Sequence, residues 1–301
     1  MTATPPAATP GDESIATQNP SAATFRFDRA RLTELAEAGR ADYASARPFP
    51  HVVMDDFLPE AVLDDVLAEF PRARDADWLS FDSALERKLA TKDDTSMGAA
   101  TRHLLAELNS SAFLDFLERL TGIDGLVPDP HFAGGGLHQI ERGGHLKVHA
   151  DFNRHPRTGL ERRLNVLLYL NRGWREEYGG AFELWSPDMS TCEVRVLPVF
   201  NRCVVFSTTS TSFHGHPEPL NCPADETRKS MALYYYSRDR PREESREAHN
   251  TLFKARPGEE LPEPQPETAR SRLRRRVESA ILALTPPILL DAVRRRRGRS
   301  V

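Results

Sequence analysis

The 301-residue chain has few cysteines, no long apolar run and no visible export signal. Its three cysteines, Cys192, Cys203 and Cys222, are odd in number and form no Cys-x-x-Cys pair, which argues against a disulfide framework and a thiolate zinc site. No uninterrupted apolar stretch approaches the roughly 20 residues of a membrane-spanning helix. The first residues, MTATPPAATPGDES, carry no basic segment followed by an apolar one. We therefore expect a protein of the reducing cytoplasm.

The charge of the chain is unevenly distributed. The formal net charge is −4, but the stretch 269–301 contains ten arginines and two acidic residues, a balance of +8 that leaves −12 for the remainder. The net negative charge of residues 1–268 argues against nucleic-acid binding by that part of the chain. The arginines flank the apolar stretch VESAILALTPPILLDAV, in which Pro286 and Pro287 would break any single helix. Three interpretations of this basic tail stay open: a solvated tail with a small docked helix, peripheral contact with an anionic membrane surface, or non-specific contact with nucleic-acid phosphates.

The first part of the sequence changes character near residue 25. Residues 1–24 are rich in Pro, Ala, Thr and Ser without periodicity, and we predict that they are disordered. In residues 25–130 apolar side chains recur mainly at helical spacing, so we expect a helical part that packs on the rest. The predicted elements are helices that start at Asp28 and Pro59, helices near 99–107 and 112–120, and a short strand at 52–54.

Residues 131–242 are typical of a β-sheet protein. Seven short runs with β-branched and aromatic residues alternate with turns, namely GLHQI, HLKVHAD, LNVLLYLN, GAFELW, CEVRVLPV, RCVVFST and SMALYYYS. We predict a mainly β fold with flanking helices, whose core is a double-stranded β-helix, or jelly roll. Residues 243–301 would then form a linker and the basic tail.

A histidine and an aspartate form part of a candidate metal site. His149 and Asp151 are two residues apart, so on a strand their side chains point to the same face. His214 lies 63 residues after Asp151, behind a predicted strand, and would supply a second imidazole, with His216 in the same loop as the alternative. Two histidines and one carboxylate on one side of a metal form the facial triad of non-haem Fe(II) oxygenases. A pair of this kind alone is more often a surface feature.

The candidate metal ligands are followed by Arg228, which opens the run RKSMALYYYS. A guanidinium group is always charged, and its two parallel donors match a carboxylate, as a dicarboxylate cosubstrate requires. A buried arginine without a partner is costly, so an inward-facing Arg228 indicates an anionic ligand. The alternative is an arginine at a strand end that faces solvent.

The order and spacing of these residues resemble the catalytic core of the prolyl 4-hydroxylase-like 2-oxoglutarate oxygenases, a family that includes the hypoxia-sensing prolyl hydroxylases. The resemblance covers about 90 residues, from 149 to 237. It rests on HAD at 149–151, LYLNRGWREEYGGAFELW at 168–185, VVF at 204–206, SFHGHPEP at 212–219 and TRKSMALYYY at 227–236. The stretch PFPHVVMDDFLP also looks like the start of this family's domain.

The resemblance implies roles for individual residues. His149, Asp151 and His214 match the iron ligands of the family, and Arg228 matches its basic residue that anchors 2-oxoglutarate. Tyr169 matches a tyrosine whose hydroxyl group supports the same carboxylate, although a core aromatic residue is the alternative. Gln139 stands where the hypoxia-sensing members have a tyrosine near the iron, and we expect it to contact the cosubstrate as well.

The resemblance also implies an activity. A dioxygenase of this family, with Fe(II) and with ascorbate as a reductant, uses O2 and 2-oxoglutarate to hydroxylate an unactivated C–H bond, and releases succinate and CO2. The carboxylate of Asp151 favours hydroxylation over halogenation, because halogenating relatives have a small residue there. The substrate stays open between a peptidyl proline, a free amino acid, a sugar or glycan, and another small molecule. The alternatives are a redox-inactive cupin-like metal isomerase or sugar-binding protein, and a non-catalytic interaction protein that uses the tail.

Overall fold

The computed structural model describes residues 21–74, 76–241 and 246–262. Apart from Pro262, these residues belong to one unit that ends at Leu261. The predictions made for residues 1–20 and for the basic tail lie outside the described residues. Within the described ranges, no helix has both the length and the apolar character needed to cross a bilayer.

The end of the segment that we predicted to be disordered is ordered. A short 3-10 helix spans Ala22–Thr24, and Ala22 is completely buried. The carboxylate of Asp65 accepts hydrogen bonds from the hydroxyl group of Ser21 and from the amide of Ala22, both at 2.8 Å. The residues in contact are 43 and 44 positions apart in the sequence, so local composition could not reveal the contact.

In the described part of the chain, four α-helices form the layer expected before residue 130. They are α1 (Arg29–Ser45), α2 (Glu60–Ala68), α3 (Ala99–Leu108) and α4 (Ser111–Thr121). Helix α1 begins where predicted, because the carboxylate of Asp28 accepts hydrogen bonds from the amides of Ala30 and Arg31. Helix α2 begins after Pro59, which is its N-cap and not a first-turn residue. Helix α4 ends at Gly122, whose φ of 71° suits glycine.

The other main elements are antiparallel strands, thirteen within the described ranges. They are β1 (His51–Met54), β2 (Trp78–Asp82), β3 (Glu86–Thr91), β4 (Val127–Pro128), β5 (Gly136–Ile140), β6 (His145–Ala150), β7 (Glu161–Tyr169), β8 (Phe182–Trp185), β9 (Cys192–Val196), β10 (Cys203–Ser207), β11 (His214–His216), β12 (Arg228–Ser237) and β13 (Leu252–Phe253). Their order is β1-β10-β7-β12-β5-β3-β6-β11-β8-β9, with β2 on β3, β4 on β12 and β13 on β6. Side chains of β5, β6, β7, β8, β10, β11 and β12 converge on one pocket, hereafter the inner pocket. This architecture is the predicted double-stranded β-helix.

The two faces of strand β7 border different parts of the interior, the main hydrophobic core and the inner pocket. Leu164, Val166 and Leu168 belong to the main hydrophobic core, where they join residues of all four helices. The alternate residues Asn165 and Tyr169 line the inner pocket. Because both faces of the strand are buried, a polar residue such as Asn165 needs a partner inside the protein.

Several strands lie outside the predicted β region. The hairpin of β2 and β3 was missed because its sequences, WLSFD and ERKLAT, lack a regular apolar alternation and are partly exposed. Strand β3 nevertheless pairs with β5 and β6 and brings Lys88 to the inner pocket. Strand β13 pairs with β6 and places Phe253 opposite His149. The part of the chain before residue 131 therefore contributes strands as well as helices.

Candidate metal centre

His149, Asp151 and His214 converge in the inner pocket. Nε2 of His149 lies 3.6 Å from Oδ1 of Asp151, and Nε2 of His214 lies 3.4 Å from Oδ2 of Asp151. Each residue contributes one potential ligand atom, and these atoms all lie within 4.8 Å of one another. Among the described residues, these three form the group of His, Cys, Asp or Glu side chains that could hold a metal ion.

Two neighbouring strands bring these residues together. His149 on β6 and His214 on β11 are directly opposite each other, and their ring centroids are 4.5 Å apart. Asp151 follows the last residue of β6, and the two-residue period of the strand returns its side chain to the face of His149. The two histidines, distant in sequence, are therefore direct neighbours in the fold.

Backbone carbonyl groups orient both imidazole rings. Nδ1 of His149 donates to the carbonyl oxygen of Lys147 at 2.8 Å, and Nδ1 of His214 donates to that of Ser212 at 2.9 Å. An imidazole that donates from Nδ1 keeps a lone pair on Nε2, which is the atom directed at Asp151. Metal-binding histidines are commonly held by a hydrogen bond of this kind.

Two polar side chains of β7 hold the carboxylate of Asp151. Its Oδ2 accepts a hydrogen bond from Nδ2 of Asn165 at 2.8 Å and lies 3.1 Å from Nη2 of Arg162. Burial alone would raise the pKa of Asp151, but the charge of Arg162 and the two neighbouring histidines hold that pKa well below its usual value. Asp151 is therefore ionised at neutral pH.

The three side chains fit an Fe(II) ion. Burial lowers the pKa of His214 to about 4, so its imidazole is neutral at neutral pH. A neutral imidazole and an ionised carboxylate can bind a divalent cation without first losing a proton. Two nitrogen donors and one carboxylate on one side are the ligand set of non-haem Fe(II) oxygenases, which leave further positions of the metal open.

Arg228 lies in the same pocket, away from these three residues. Asn165 contacts Asp151, and Tyr169 contacts Arg228. Asn165 and Tyr169 are four residues apart on β7, a distance of about 13 Å along the strand. Arg228 is 4% exposed, and no carboxylate of the described residues pairs with it. Burial lowers the pKa of Arg228, yet a guanidinium group stays charged in proteins. An anion in the pocket would offset the cost of this buried charge.

Gly180 and Tyr169 hold the guanidinium group of Arg228. Nε of Arg228 donates to the carbonyl oxygen of Gly180 at 2.9 Å, and Nη2 donates to the hydroxyl oxygen of Tyr169 at 3.4 Å. Gly180 has a φ of 69°, and a Cβ atom there would lie 2.5 Å from Cδ2 of Leu220 and 3.0 Å from Cδ of Arg228. Burial raises the pKa of Tyr169, so its hydroxyl group stays protonated and can donate to a carboxylate.

Gln139 faces away from the inner pocket. Its neighbours on β5, His138 and Ile140, line the pocket, and Ile140 is directly opposite Arg228 on β12. The alternation of the strand therefore directs Gln139 to the other face, where its Nε2 donates to the hydroxyl oxygen of Thr227 at 2.9 Å. This placement corrects the expectation that Gln139 contacts a bound carboxylate, and His138 is the pocket residue in its place.

The inner pocket also contains His216, the alternative to His214 in the sequence analysis, and Lys88, which the sequence did not single out. His216 lines the pocket two residues after His214 but is not part of the metal-ligand group. Burial holds the pKa of His216 well below its usual value. Lys88 reaches the pocket from β3, and its Nζ lies 3.1 Å from Oε2 of Glu86. No motif surrounds Lys88, so only the pairing of β3 with β5 and β6 could have revealed it.

A second cavity, hereafter the outer cleft, includes Phe152, the residue that follows Asp151 in the sequence. It is lined by Ala133, Gly134, Phe152, Arg154, His155, Pro156 and residues 248–251, and its volume is about 690 Å³. The guanidinium carbon of Arg162 lies 4.5 Å from the ring centroid of Phe152 and 3.4 Å from that of Tyr234. Tyr234 lines the inner pocket and Phe152 lines the outer cleft. This stack of three side chains therefore stands between the two cavities.

Comparisons with known proteins agree with this description. Residues 135–236 match the family model of the 2OG-Fe(II) oxygenase superfamily. The chain is similar in structure to a prolyl 4-hydroxylase of Pseudomonas putida, with 21% identity and a TM-score of 0.50 over 68% of this chain and 100% of that one. It is also similar to a prolyl hydroxylase of Trichoplax adhaerens in complex with a hypoxia inducible factor peptide, with 17% identity and a TM-score of 0.47 over 69% and 91% of the chains.

A third similar structure is HygX from Streptomyces hygroscopicus, with nickel, 2-oxoglutarate and hygromycin B bound. Its identity is 11% and its TM-score 0.45, over 68% of this chain and 93% of that one. No curated protein sequence is similar enough to this chain to count as a match. The likeness to the Pseudomonas putida enzyme establishes the fold, and the substrate has to be inferred separately.

Proposed function

Since the chain carries a 2OG-Fe(II) oxygenase domain with a prolyl 4-hydroxylase-like fold, we propose that it hydroxylates an unactivated C–H bond of a second substrate. The reaction consumes 2-oxoglutarate and O2 and releases succinate and CO2. We propose a peptidyl proline, a small molecule or a glycan as the class of substrate. The observation that supports this reaction is one buried pocket that contains His149, Asp151 and His214 together with Arg228, which pairs with no carboxylate of the described residues.

In this proposal the two ends of the inner pocket bind different groups. Nε2 of His149, Nε2 of His214 and a carboxylate oxygen of Asp151 bind Fe(II). Arg228 and the hydroxyl group of Tyr169 donate hydrogen bonds to the distal carboxylate of 2-oxoglutarate, which directs its keto acid end to the metal. When bound, Fe(II) supplies the redox chemistry through which O2 oxidises both 2-oxoglutarate and the C–H bond.

Apolar side chains around the metal-ligand group have the role of excluding water. The ring centroid of Phe206 lies 4.8 Å from that of His214, and the ring centroid of Phe182 lies 5.5 Å from it. Leu167 lines the same pocket. A dry site strengthens the electrostatic contacts within it and limits side reactions of an oxidising centre.

The carboxylate of Asp151 determines which reaction is favoured. It takes the position that halogenating relatives leave open for chloride, and hydrogen bonds from Asn165 and the charge of Arg162 keep it in place. We therefore propose hydroxylation and not halogenation as the outcome.

The outer cleft is our candidate for the binding site of the second substrate. It lies beside the stack of Phe152, Arg162 and Tyr234 that borders the inner pocket, so a bound molecule could present a C–H bond towards the metal. Its volume of about 690 Å³ is within the range of about 300–1,000 Å³ that is typical of ligand sites. The cleft would thus accept a small molecule or a short piece of a polymer.

Consumption of 2-oxoglutarate tests the proposed reaction directly. Purified protein supplied with Fe(II), O2 and 2-oxoglutarate is expected to form succinate slowly even without the second substrate. The Asp151→Ala variant should lose this activity, whereas Asp225→Ala, which removes an exposed aspartate outside the inner pocket, should keep it. Absence of Fe(II)-dependent succinate from the wild-type protein would contradict the proposal.

The same assay separates the proposal from its alternative. A redox-inactive cupin-like metal isomerase or sugar-binding protein would bind a metal without consuming 2-oxoglutarate, and it would leave the unpaired charge of Arg228 unexplained. A comparison of metabolites between cells with and without the protein would then narrow the choice of substrate.

We further propose that ascorbate acts as a reductant and that the protein works in the cytoplasm. Ascorbate would return iron to the Fe(II) state after uncoupled turnovers. It should therefore prolong the linear phase of succinate formation, and an equal concentration of a non-reducing acid should not. Cell fractionation would test the location.

The arginine-rich stretch 269–301 lies outside the described residues, and we propose for it a contact with an anionic membrane surface. Its apolar residues interleave with the arginines, and each nearby arginine contributes about 1 kcal/mol at such a surface. Flotation with anionic liposomes should carry the full chain and leave behind a version that ends before residue 269. Binding of both versions, or of neither, would contradict this role, and binding of RNA alone would favour the nucleic-acid alternative.

A further inference from the structure

His216 is a buried histidine of the inner pocket that has no role in the proposed function. It is 3% exposed and lines the pocket with His214 and Arg228. Within the described part of the chain, neither its Nδ1 nor its Nε2 atom has a hydrogen-bond partner. A buried polar group without a partner costs free energy, so both atoms are available to a molecule that enters the pocket.

The two-residue alternation of β11 directs His216 to the pocket face that His214 also occupies. On β11 and β6, His214 is opposite His149, but His216 is opposite Leu146, so a step of two residues on β11 matches a step of three on β6. The extra residue of this bulge lies on β6, so that Leu146 and His149 both line the pocket, and such bulges are frequent beside active sites. At Gly215 between the two histidines, a Cβ atom would lie 2.8 Å from the carbonyl oxygen of Leu146. This close contact between the strands fixes the position of His216.

The position of His216 is on the Arg228 side of the metal-ligand group. His214 and His216 share one face of β11, and His216 is the residue further from Asp151 along the strand pair. Arg228 and His216 both line the inner pocket. The end of the pocket opposite Asp151 therefore contains the buried guanidinium group of Arg228 and an imidazole that has no hydrogen-bond partner among the described residues.

We propose that His216 donates a hydrogen bond to the distal carboxylate of 2-oxoglutarate, which is then held by Arg228, Tyr169 and His216 together. This inference rests on the proposed function. An imidazole has at least one N–H donor in either charge state, and a carboxylate oxygen is the acceptor that the pocket itself lacks at this end. A hydrogen bond to a charged group changes binding by about 10-fold or more.

Two other roles for His216 fit the geometry less well. A role as metal ligand would require it in the group with His149 and Asp151, from which it is absent. A role in contacting the second substrate would require it near the outer cleft, which borders the inner pocket at Phe152 and Tyr234 and does not include His216. The cosubstrate is therefore the group that His216 can reach.

Calorimetric titration of the Mn(II)-loaded protein measures this contact without any turnover. The probes are 2-oxoglutarate and 2-oxovalerate, which has the same keto acid end but no distal carboxylate. The variant His216→Leu removes both nitrogen atoms, His216→Phe keeps a ring of similar shape, and His216→Gln restores a donor. His145→Leu is the matched control, because its imidazole lies outside the inner pocket and already donates to the carbonyl oxygen of Ala84.

We expect H216L to raise the Kd of 2-oxoglutarate about 10-fold or more while the affinities for Mn(II) and 2-oxovalerate change less than about twofold. H216Q should recover part of the loss, and H145L should match the wild type. In a double variant with Arg228→Met, the loss should be smaller than the product of the two single effects, because both residues act on one carboxylate. If H216L does not fold, H216F is expected to give the same pattern.

Three other results of these titrations would contradict the inference. An unchanged Kd in H216L and H216F would remove His216 from the cosubstrate site. An equal loss for 2-oxovalerate would assign it to the keto acid end, and a loss of Mn(II) would make it a metal-site residue. Failure of the wild-type protein to bind 2-oxoglutarate would instead contradict the proposed function, so the two failures are distinguishable.

Discussion

Replacement of Arg228 by methionine should weaken cosubstrate binding without weakening the fold. Methionine fills a similar space but removes the charge and both hydrogen-bond donors that Arg228 directs at Gly180 and Tyr169. The variant therefore separates what Arg228 contributes to a bound anion from what it contributes to the ligand-free protein.

The expected magnitudes follow from the surroundings of Arg228. A hydrogen bond to a charged group contributes about 1.5–3 kcal/mol, so its loss should raise the Kd of 2-oxoglutarate roughly 10- to 150-fold. In the ligand-free protein the change removes a buried charge that has no counter-ion among the described residues, which costs several kcal/mol, and two hydrogen bonds of that charge at about 1.5–3 kcal/mol each. These contributions offset each other, so the free energy of unfolding of the ligand-free variant should be close to that of the wild type.

Two measurements on the same preparation test this reasoning. Calorimetric titration of the Mn(II)-loaded protein gives the Kd of 2-oxoglutarate, and urea unfolding of the ligand-free protein gives the free energy of unfolding. Arg195→Met is the control, because this arginine of β9 has a side chain that is 66% exposed. An unchanged Kd in R228M would remove Arg228 from the site. A large loss of stability with an unchanged Kd would show that Arg228 is a structural residue only.

The remaining predictions concern the metal and the pocket. Asp151→Ala should lose Fe(II) binding while the circular dichroism spectrum stays that of the wild type, and iron at full stoichiometry in this variant would refute the ligand assignment. His214→Ala should reduce Fe(II) affinity far more than His216→Ala in equilibrium dialysis, and the opposite order would reassign the ligand. Gly180→Ala should displace the guanidinium group beside it and raise the Kd of 2-oxoglutarate about 10-fold, whereas Gly173→Ala, which has a similar φ of 65° but nothing within 4 Å of a Cβ atom, should keep the wild-type Kd. The metal-free protein should lose stability to urea as the pH falls from 6.5 towards 4. Burial lowers the pKa of His214 to about 4 in the folded protein, so in this pH range the unfolded chain binds a proton that the folded chain does not. His214→Gln should flatten this pH dependence.

The sequence predicted those parts of the molecule that depend on local patterns. The cap at Asp28 and the two-residue spacing of His149 and Asp151 are local features, and the structure has them where they were expected. The jelly-roll core followed from the series of short strands, and the position of His214 next to the HAD triplet followed from the resemblance in order and spacing.

Features that depend on contacts between distant segments were missed. Lys88 reaches the pocket because β3 pairs with both β5 and β6, and nothing in its sequence neighbourhood indicates this. The ordering of Ala22 depends on a hydrogen bond to Asp65. Gln139 shows the effect of strand phase, since a shift of one residue moves a side chain to the other face of the sheet. The bulge of β6 opposite His216 is likewise a property of the strand pair and not of either strand alone.

The measurement that tests the central claim most directly is an anaerobic optical titration of the Fe(II)-loaded protein with 2-oxoglutarate. If His149, Asp151 and His214 hold the iron in the pocket that also contains Arg228, a weak metal-to-ligand charge-transfer band should appear. It should saturate at one 2-oxoglutarate per chain. The band should be absent in Asp151→Ala and should require a much higher concentration in Arg228→Met. A wild-type protein that binds Fe(II) but develops no band at any concentration of 2-oxoglutarate would contradict the account.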